Sequence, residues 1–233
     1  MLRLNHHKPI KTPKQIDFFL FFVCTKLKVV RMKKIIACFA SGTGSNVEAI
    51  AIHFHKQRSV RVGMVFCNNP GALVIKKAET LGIPVMIFDR IDLYSNSVVL
   101  NRLTELQPAL IVLAGFMWMI PHDIIDAFPN RIINIHPALL PKYGGKGMYG
   151  SKVHEAVLAA GEKESGITIH YVNAHSDEGD VIFQERCPVL QTDTPESLAQ
   201  RIHKLEHRCY PQVIGEVLSR FRPNGEQMMI LPP

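Results

Sequence analysis

From Lys34 onward, the chain alternates short apolar runs with segments of helical periodicity. The first run, residues 35–39, ends at a glycine-containing turn, and a helical pattern then continues to about Gln57. Such alternation predicts βαβ units and a parallel sheet. The wholly apolar run at residues 109–114 indicates a central strand that is covered on both faces. We therefore predict an α/β fold of Rossmann-like type, with an open, mostly parallel, twisted sheet and helices on both faces.

The C-terminal third of the chain departs from the parallel pattern. Two apolar runs, residues 166–172 and 181–189, are joined by a polar loop that is too short for a crossover helix. We predict that these two strands pair antiparallel. Thr194, Pro195 and Glu196 then form a strong helix start, and Pro211 is predicted to kink or interrupt this last helix. Upstream, single helices are predicted around residues 95–106 and near residues 152–160, and the glycine-rich stretch 144–150 between them is predicted to be a mobile loop.

The charge distribution argues against binding to nucleic acid or to a membrane. The formal net charge is +7, but residues 1–31 contain seven basic residues and one acidic residue, so the remainder is nearly neutral. The five cysteines are scattered and form no C-x-x-C pair, which indicates buried thiols in a reducing compartment. These features favour a cytoplasmic protein that acts on small molecules.

The first 31 residues do not match the pattern of the rest. Their apolar patch, residues 18–24, is far shorter than the roughly 20 residues that a membrane span needs, and no small-residue cleavage site follows it. We predict an N-terminal extension at residues 1–31 without a catalytic role, a single domain at residues 32–221, and a C-terminal tail at residues 222–233.

A glycine-containing loop at residues 41–46 follows the first predicted strand. Such a loop lets backbone N–H groups approach an anion at a helix N-terminus. A dinucleotide site would need a third glycine where Val47 stands, and an acidic residue after the second strand, where Asn68 stands. The loop therefore favours a single phosphate over NAD, and a plain tight turn is the alternative.

Asn134 and His136 stand two residues apart at the end of a predicted strand. At this spacing both side chains point to the same face, where both can donate hydrogen bonds to the oxyanion of an acyl-transfer intermediate. The imidazole can also carry a proton between the reacting groups. An acidic residue from the loop at 177–180 would favour the protonated form of His136, although the spacing does not select which one. The alternatives are a capping asparagine, a structural histidine and a solvated acidic turn.

Several motifs, in this order, resemble those of the phosphoribosylglycinamide formyltransferases, which are folate-dependent enzymes of purine biosynthesis. They are Ser-Gly-x-Gly-Ser-Asn at 41–46, Leu-Ala-Gly-Phe-Met at 113–117, Asn-Ile-His-Pro-x-Leu-Leu-Pro-Lys-Tyr at 134–143, the loop containing Asp177, and Glu-His-x-x-Tyr-Pro at 206–211. The resemblance covers about residues 33–220. It implies direct formyl transfer from 10-formyltetrahydrofolate, as co-substrate, to 5′-phosphoribosylglycinamide, with no metal and no covalent enzyme intermediate. It also implies a monomer or a weak homodimer.

The resemblance assigns the site residues in three groups. The catalytic residues would be Asn134, His136 and Asp177, with His136 protonated and a water held by Asp177 relaying the proton to the departing N10. The ribonucleotide would be bound by Gly44, Ser45, Asn46 and Glu206. The folate would be bound by Met117, Trp118, Met119, Ile120, Asn134, Asn173, Ala174, His175, Ser176 and Asp177.

Two departures from the family pattern affect the folate side and the loop beside the site. Members often have a folate-contacting arginine where this chain has Ile91, and the neighbouring Arg90 is a possible substitute. The stretch 144–150 replaces a proline-glycine and histidine-containing segment, and we expect it to border the site.

Related activities remain as alternatives: methionyl-tRNA and nucleotide-sugar formyltransferases and formyltetrahydrofolate deformylase. The tRNA enzyme is expected to carry a basic C-terminal domain and the deformylase an N-terminal regulatory domain. From other classes, a non-catalytic binding module is disfavoured by the presence of all three catalytic residues, and an NAD-linked oxidoreductase by Val47.

Overall fold

The structure, a computed structural model, describes residues 33–221. The extension at residues 1–31 and the tail at residues 222–233 lie outside the described residues, so their separation from the domain stays a prediction.

Seven strands form one sheet in the order β3-β2-β1-β4-β5-β6-β7 within the described part of the chain. The first five strands run parallel, whereas β6 pairs antiparallel with both β5 and β7. Both predictions, a mostly parallel sheet and an antiparallel C-terminal pair, are confirmed. The strands are β1 (Lys34–Ala40), β2 (Val60–Cys67), β3 (Val85–Ile87), β4 (Leu110–Leu113), β5 (Ile132–His136), β6 (Glu164–Tyr171) and β7 (Val181–Pro188).

Helices cover both faces of the sheet, as predicted. Alternate residues of β1 show the division, because Ile36 and Cys38 belong to one buried cluster with α1, α2, α6 and α7, while Ala37 and Phe39 belong to a second cluster with α3, α4 and α5. The helices are α1 (Ser45–His55), α2 (Leu73–Thr80), α3 (Arg90–Tyr94), α4 (Val98–Leu106), α5 (His122–Ala127), α6 (Ser151–Ala159) and α7 (Pro195–Ser219). Within residues 33–221, no helix combines the length and the apolar character that crossing a bilayer requires.

The helix predicted around residues 95–106 is present as α4, but it begins three residues later than predicted, at Val98. The structure has the short helix α3 before it, and Asp89 caps α3 through a capping box with Asp92. Ser97, with φ of 56°, then separates α3 from α4. The positive φ of Ser97 sets the boundary between α3 and α4, and the spacing of apolar residues does not reveal a backbone conformation.

Pro211 does not interrupt the last helix, because α7 continues past it to Ser219, and the alternative of a kink at Pro211 stays a prediction. Proline has no N–H to donate to the carbonyl one turn earlier, which weakens a helix. Here Pro211 is itself buried, and Val213, Ile214, Val217 and Leu218 after it all pack into the core. Burial of these side chains offsets the missing hydrogen bond.

Candidate active site

A cavity of about 870 Å³ opens at the carboxyl ends of β1, β4 and β5. Chain order changes direction here, since β2 and β3 lie on one side of β1 while β4 and β5 lie on the other. Open α/β sheets bind ligands at this switch point. The predicted catalytic residues Asn134, His136 and Asp177 all line this cavity, and so does the glycine-rich stretch from Gly145 to Gly150, which was predicted to border the site.

The loop before α1 forms one end of the cavity. Gly44 is the N-cap of this 11-residue helix and has φ of 70°. A Cβ at this position would lie 2.4 Å from Cγ2 of Val74, so both the backbone conformation and the close packing require glycine. The free N–H groups of the first helical turn favour an anion here. Ser45 and Asn46 line the same wall, next to Gly44.

Asn46 and Glu206 are joined across the fold. Nδ2 of Asn46 donates to Oε2 of Glu206 at 2.9 Å, although the residues are 160 positions apart. Burial raises the pKa of Glu206, and the hydrogen bond from Asn46 partly opposes that effect. Oδ1 of Asn46 is buried without a partner among the described residues. Both residues line the cavity, where the carboxyl group of Glu206 can accept from a ligand that carries hydroxyl or N–H donors.

Asn134 is held by a histidine that sequence reasoning missed. His170, on β6, lies opposite Asn134 in the antiparallel register, and its Nε2 is 3.2 Å from Nδ2 of Asn134. Nδ1 of His170 is 2.9 Å from the carbonyl oxygen of Tyr171. Because a carbonyl only accepts, Nδ1 carries a proton, while Nε2 faces both Nδ2 of Asn134 and, at 3.5 Å, Oδ1 of Asp177. His170 thereby helps to fix the orientation of the Asn134 amide, which lines the cavity.

His136 is held between a carbonyl and a carboxylate. Its Nε2 is 2.7 Å from the carbonyl oxygen of Tyr143 and therefore carries a proton, while its Nδ1 lies 3.6 Å from Oδ2 of Asp177. Burial lowers the pKa of His136, and this effect outweighs Asp177 and the Tyr143 carbonyl, which both raise it. The expected effect of the acid is present, and the expected protonation of His136 during the reaction stays a prediction. His136 is mainly neutral at pH 7.

Asp177 is the acid that the structure brings to His136. Burial alone would raise the pKa of Asp177, but contacts with His170, His136 and the Gly145 N–H hold it below its usual value. That N–H donates to Oδ2 of Asp177 at 2.9 Å. Asp177 has φ of 58°, an uncommon conformation for a residue other than glycine. The carboxylate therefore stays ionised at neutral pH.

The residues predicted to bind folate line the same cavity, with one exception. Met117, Trp118, Met119 and Ile120 line the cavity, together with Asn173, His175, Ser176 and Asp177. Ala174 is not among the residues that line the cavity, and its contact with folate stays a prediction. The N–H of His175 donates to Oδ1 of Asn173, so Ala174 lies at the corner of a tight turn and is left outside the lining.

The position of the expected folate-contacting arginine is apolar and exposed. The side chain of Ile91 is 61% exposed and does not line the cavity. Arg90 instead lies over the ring of Trp118, 4.7 Å from its centroid. This cation–π contact holds Arg90 against Trp118, which is one of the residues that line the cavity.

Two further histidines line the cavity without having been predicted. His203 precedes Glu206 by three residues on α7, so helical spacing alone puts both on one face and was a usable signal. His154 lies on α6, and its sequence context gave no such signal.

Comparison with known proteins gives one consistent result. Residues 33–214 match the formyl transferase family. The chain is 40% identical over 195 residues to the chloroplastic phosphoribosylglycinamide formyltransferase of Arabidopsis thaliana, covering 79% of this chain and 65% of that protein. It is 39% identical over 193 residues to the phosphoribosylglycinamide formyltransferase of Bacillus subtilis (strain 168), covering 80% of this chain and 95% of the relative. The crystal structure of phosphoribosylglycinamide formyltransferase from Anaplasma phagocytophilum superposes with a TM-score of 0.74 at 37% identity, covering 80% of this chain and 87% of that one.

Proposed function

The chain belongs to the formyl transferase family, and we propose that it transfers a formyl group from 10-formyltetrahydrofolate to the amine of 5′-phosphoribosylglycinamide in purine biosynthesis. The observation that carries the proposal is one cavity that contains an anion-binding helix start, an acceptor pair and a histidine beside a carboxylate. Relatives named for this activity support it, with the Bacillus subtilis protein matched over 95% of its length.

The acceptor ribonucleotide fits the end of the cavity near α1. We assign its phosphate to the backbone N–H groups at Gly44, Ser45 and Asn46, where the helix N-terminus favours negative charge. The acceptor oxygens of Asn46 and Glu206 then suit the ribose hydroxyls and the glycinamide N–H. This arrangement directs the reacting amine toward Asn134 and His136.

The folate fits the wall formed by residues 117–120 and 173–177. This wall offers large apolar side chains for the pterin and exposed loop backbone for its polar edge. The formyl group on N10 would then lie near Asn134, which is assigned both to catalysis and to folate binding. The proposed arrangement assigns no residue to metal binding.

The chemistry follows from a neutral His136. The amine nitrogen attacks the formyl carbon, and the carbonyl oxygen becomes an oxyanion that Asn134 stabilises by donating a hydrogen bond. His136 accepts the proton that the amine loses, and Asp177, 3.6 Å from Nδ1, stabilises the resulting imidazolium. The C–N10 bond breaks as the intermediate collapses, and the proton passes from His136 to N10. Holding both substrates together contributes effective molarities of up to about 10⁵–10⁸ M in model reactions.

A cytoplasmic location agrees with the state of the thiols. The four cysteines among residues 33–221 are free and buried, as a reducing compartment allows. We therefore place the enzyme with its small-molecule substrates in the cytoplasm.

The test is a formyl-transfer assay with competing acceptors. The protein is supplied with 10-formyltetrahydrofolate and offered 5′-phosphoribosylglycinamide, water alone, or charged initiator tRNA. We expect formylated ribonucleotide to be the main product. Release of formate without a ribonucleotide product would indicate a deformylase, and formylated tRNA would indicate the tRNA enzyme; either result overturns the proposal.

A further inference from the structure

His154 is a buried histidine that the proposed reaction leaves unused. Its side chain lies on α6, is only 3% exposed, and lines the same cavity as the catalytic residues. Its Nδ1 is buried without a hydrogen-bond partner among residues 33–221. Leaving a buried polar nitrogen unpaired is unfavourable in the ligand-free protein. A residue that only packed would be better replaced by a hydrophobic side chain.

The electrostatic neighbours of His154 locate it within the cavity. His136 and His203 both lie close enough to disfavour its charged form. His203 in turn interacts with Glu206, which is hydrogen-bonded to Asn46. His154 therefore lies near both His136 of the reacting centre and His203, in the cavity that Glu206 also lines.

The charge state of His154 limits what it can bind. Burial, followed by repulsion from His203 and His136, lowers its pKa to about 4. His154 is therefore uncharged at pH 7, so it does not serve as a counter-charge for a phosphate. A neutral imidazole offers one N–H donor and one acceptor nitrogen, which match a hydroxyl or an amide group.

We propose that His154 is a substrate-binding residue that hydrogen-bonds the segment of the acceptor between its ribose and its reacting amine. This inference rests on the proposed function, since it takes the acceptor to be a ribose-linked amide. It adds a contact on α6 to the acceptor contacts on α1 and α7.

The test compares His154→Phe with His154→Gln in the full chain. Phenylalanine keeps the bulk but cannot hydrogen-bond, whereas glutamine keeps a polar amide. We expect His154→Phe to raise KM for the ribonucleotide roughly 3–10-fold, as loss of one neutral hydrogen bond implies. KM for 10-formyltetrahydrofolate should stay unchanged, and His154→Gln should recover part of the loss. His122→Phe, at an exposed histidine outside the cavity, is the control.

Thermal unfolding separates binding from packing. With no ligand, His154→Phe should keep or raise Tm, because it removes an unpaired buried nitrogen. The increase in Tm that 5′-phosphoribosylglycinamide produces should be smaller in this variant than in the wild type. An unchanged ribonucleotide KM, or a ligand-free Tm that falls while both KM values rise together, would show that His154 only packs. If the wild type itself fails to formylate the ribonucleotide, the proposed function fails instead.

Discussion

Single residues at this site are balanced between opposing electrostatic effects. Burial lowers the pKa of His136 while Asp177 raises it, and the first effect is larger. A neutral imidazole can take a proton from the attacking amine, and a carboxylate nearby then stabilises the charge that forms. The site is thus arranged for a change in charge during the reaction rather than for a fixed cation.

Removing either catalytic side chain on β5 should impair turnover much more than binding. Loss of one oxyanion donor, here Asn134, typically lowers kcat by roughly 10²–10³, and loss of a proton-transfer group, here His136, by roughly 10²–10⁴. We expect Asn134→Ala and His136→Ala each to lower kcat by at least about 10² in steady-state formyl transfer. Asn101→Ala and His122→Ala, at exposed positions away from the cavity, are the controls. Near wild-type kcat in either β5 variant would remove that residue from the mechanism.

The charge of Asp177 can be tested without changing its shape. Asp177→Asn keeps the side-chain size and suits the positive φ, but it removes the charge that raises the pKa of His136. The pKa of His136 should therefore fall further below its ordinary value, which NMR titration of the imidazole can measure. We expect kcat to fall by roughly 10², within the range for proton-transfer catalysis. If the His136 pKa rises or stays constant, Asp177 does not act through its charge.

At the scale of elements, α7 connects the site to the sheet. The hydroxyl of Tyr210 is 3.0 Å from the carbonyl oxygen of Leu113 and 3.3 Å from that of Ile133, so it bridges β4 and β5. Glu206 lies one turn earlier on the same helix. The helix that supplies Glu206 is therefore held in place by a buried hydroxyl that contacts the two central strands bordering the cavity.

Replacement of this hydroxyl should lower stability. Tyr210→Phe leaves two buried carbonyls without their shared donor, and we expect a loss of about 1–2 kcal/mol in the free energy of unfolding. Urea denaturation can measure this loss. Tyr94→Phe removes a comparable but exposed hydrogen bond to the Met119 carbonyl, and it should cost less than about 0.5 kcal/mol. Equal losses in the two variants would contradict the anchoring role of Tyr210.

Most elements could be predicted because each is specified by nearby residues. The alternation of apolar runs indicated every strand, and Thr194 with Pro195 correctly marked the start of α7. Helix α3 was missed because five residues give too little periodicity to recognise. The continuation of α7 through Pro211 depends on the core that surrounds it, which the local sequence does not contain.

The site was predictable only where its residues are close together in the chain. Asn134 and His136 could be paired from strand periodicity, since they are two positions apart. The choice of Asp177 over its acidic neighbours, and the link between Asn46 and Glu206, depend on contacts across 41 and 160 positions. His170 faces Asn134 through the antiparallel register of β5 and β6, which sequence alone did not specify.

At the scale of the whole molecule, the assigned site lies within residues 33–221, the part of the chain that the structure describes. Every residue assigned to a substrate or to the reaction lies in this range, and all but Ala174 line the cavity. The family match, residues 33–214, covers nearly the same range. The extension at residues 1–31 carries most of the excess positive charge, while the remainder is nearly neutral. Removal of this extension should therefore lower the pI and leave the catalysed reaction unchanged.

A chain that starts at Met32 should fold and remain active. Truncation is tolerated where the removed segment adds no core and no site residue, and the expected change in kcat is less than about twofold. Formyl-transfer kinetics and thermal unfolding of the shortened and full-length proteins provide the comparison. His136→Ala in the shortened chain gives the inactive control. A shortened protein that keeps its unfolding transition but loses kcat would show that residues 1–31 contribute to catalysis, whereas loss of the transition would place them in the folding unit.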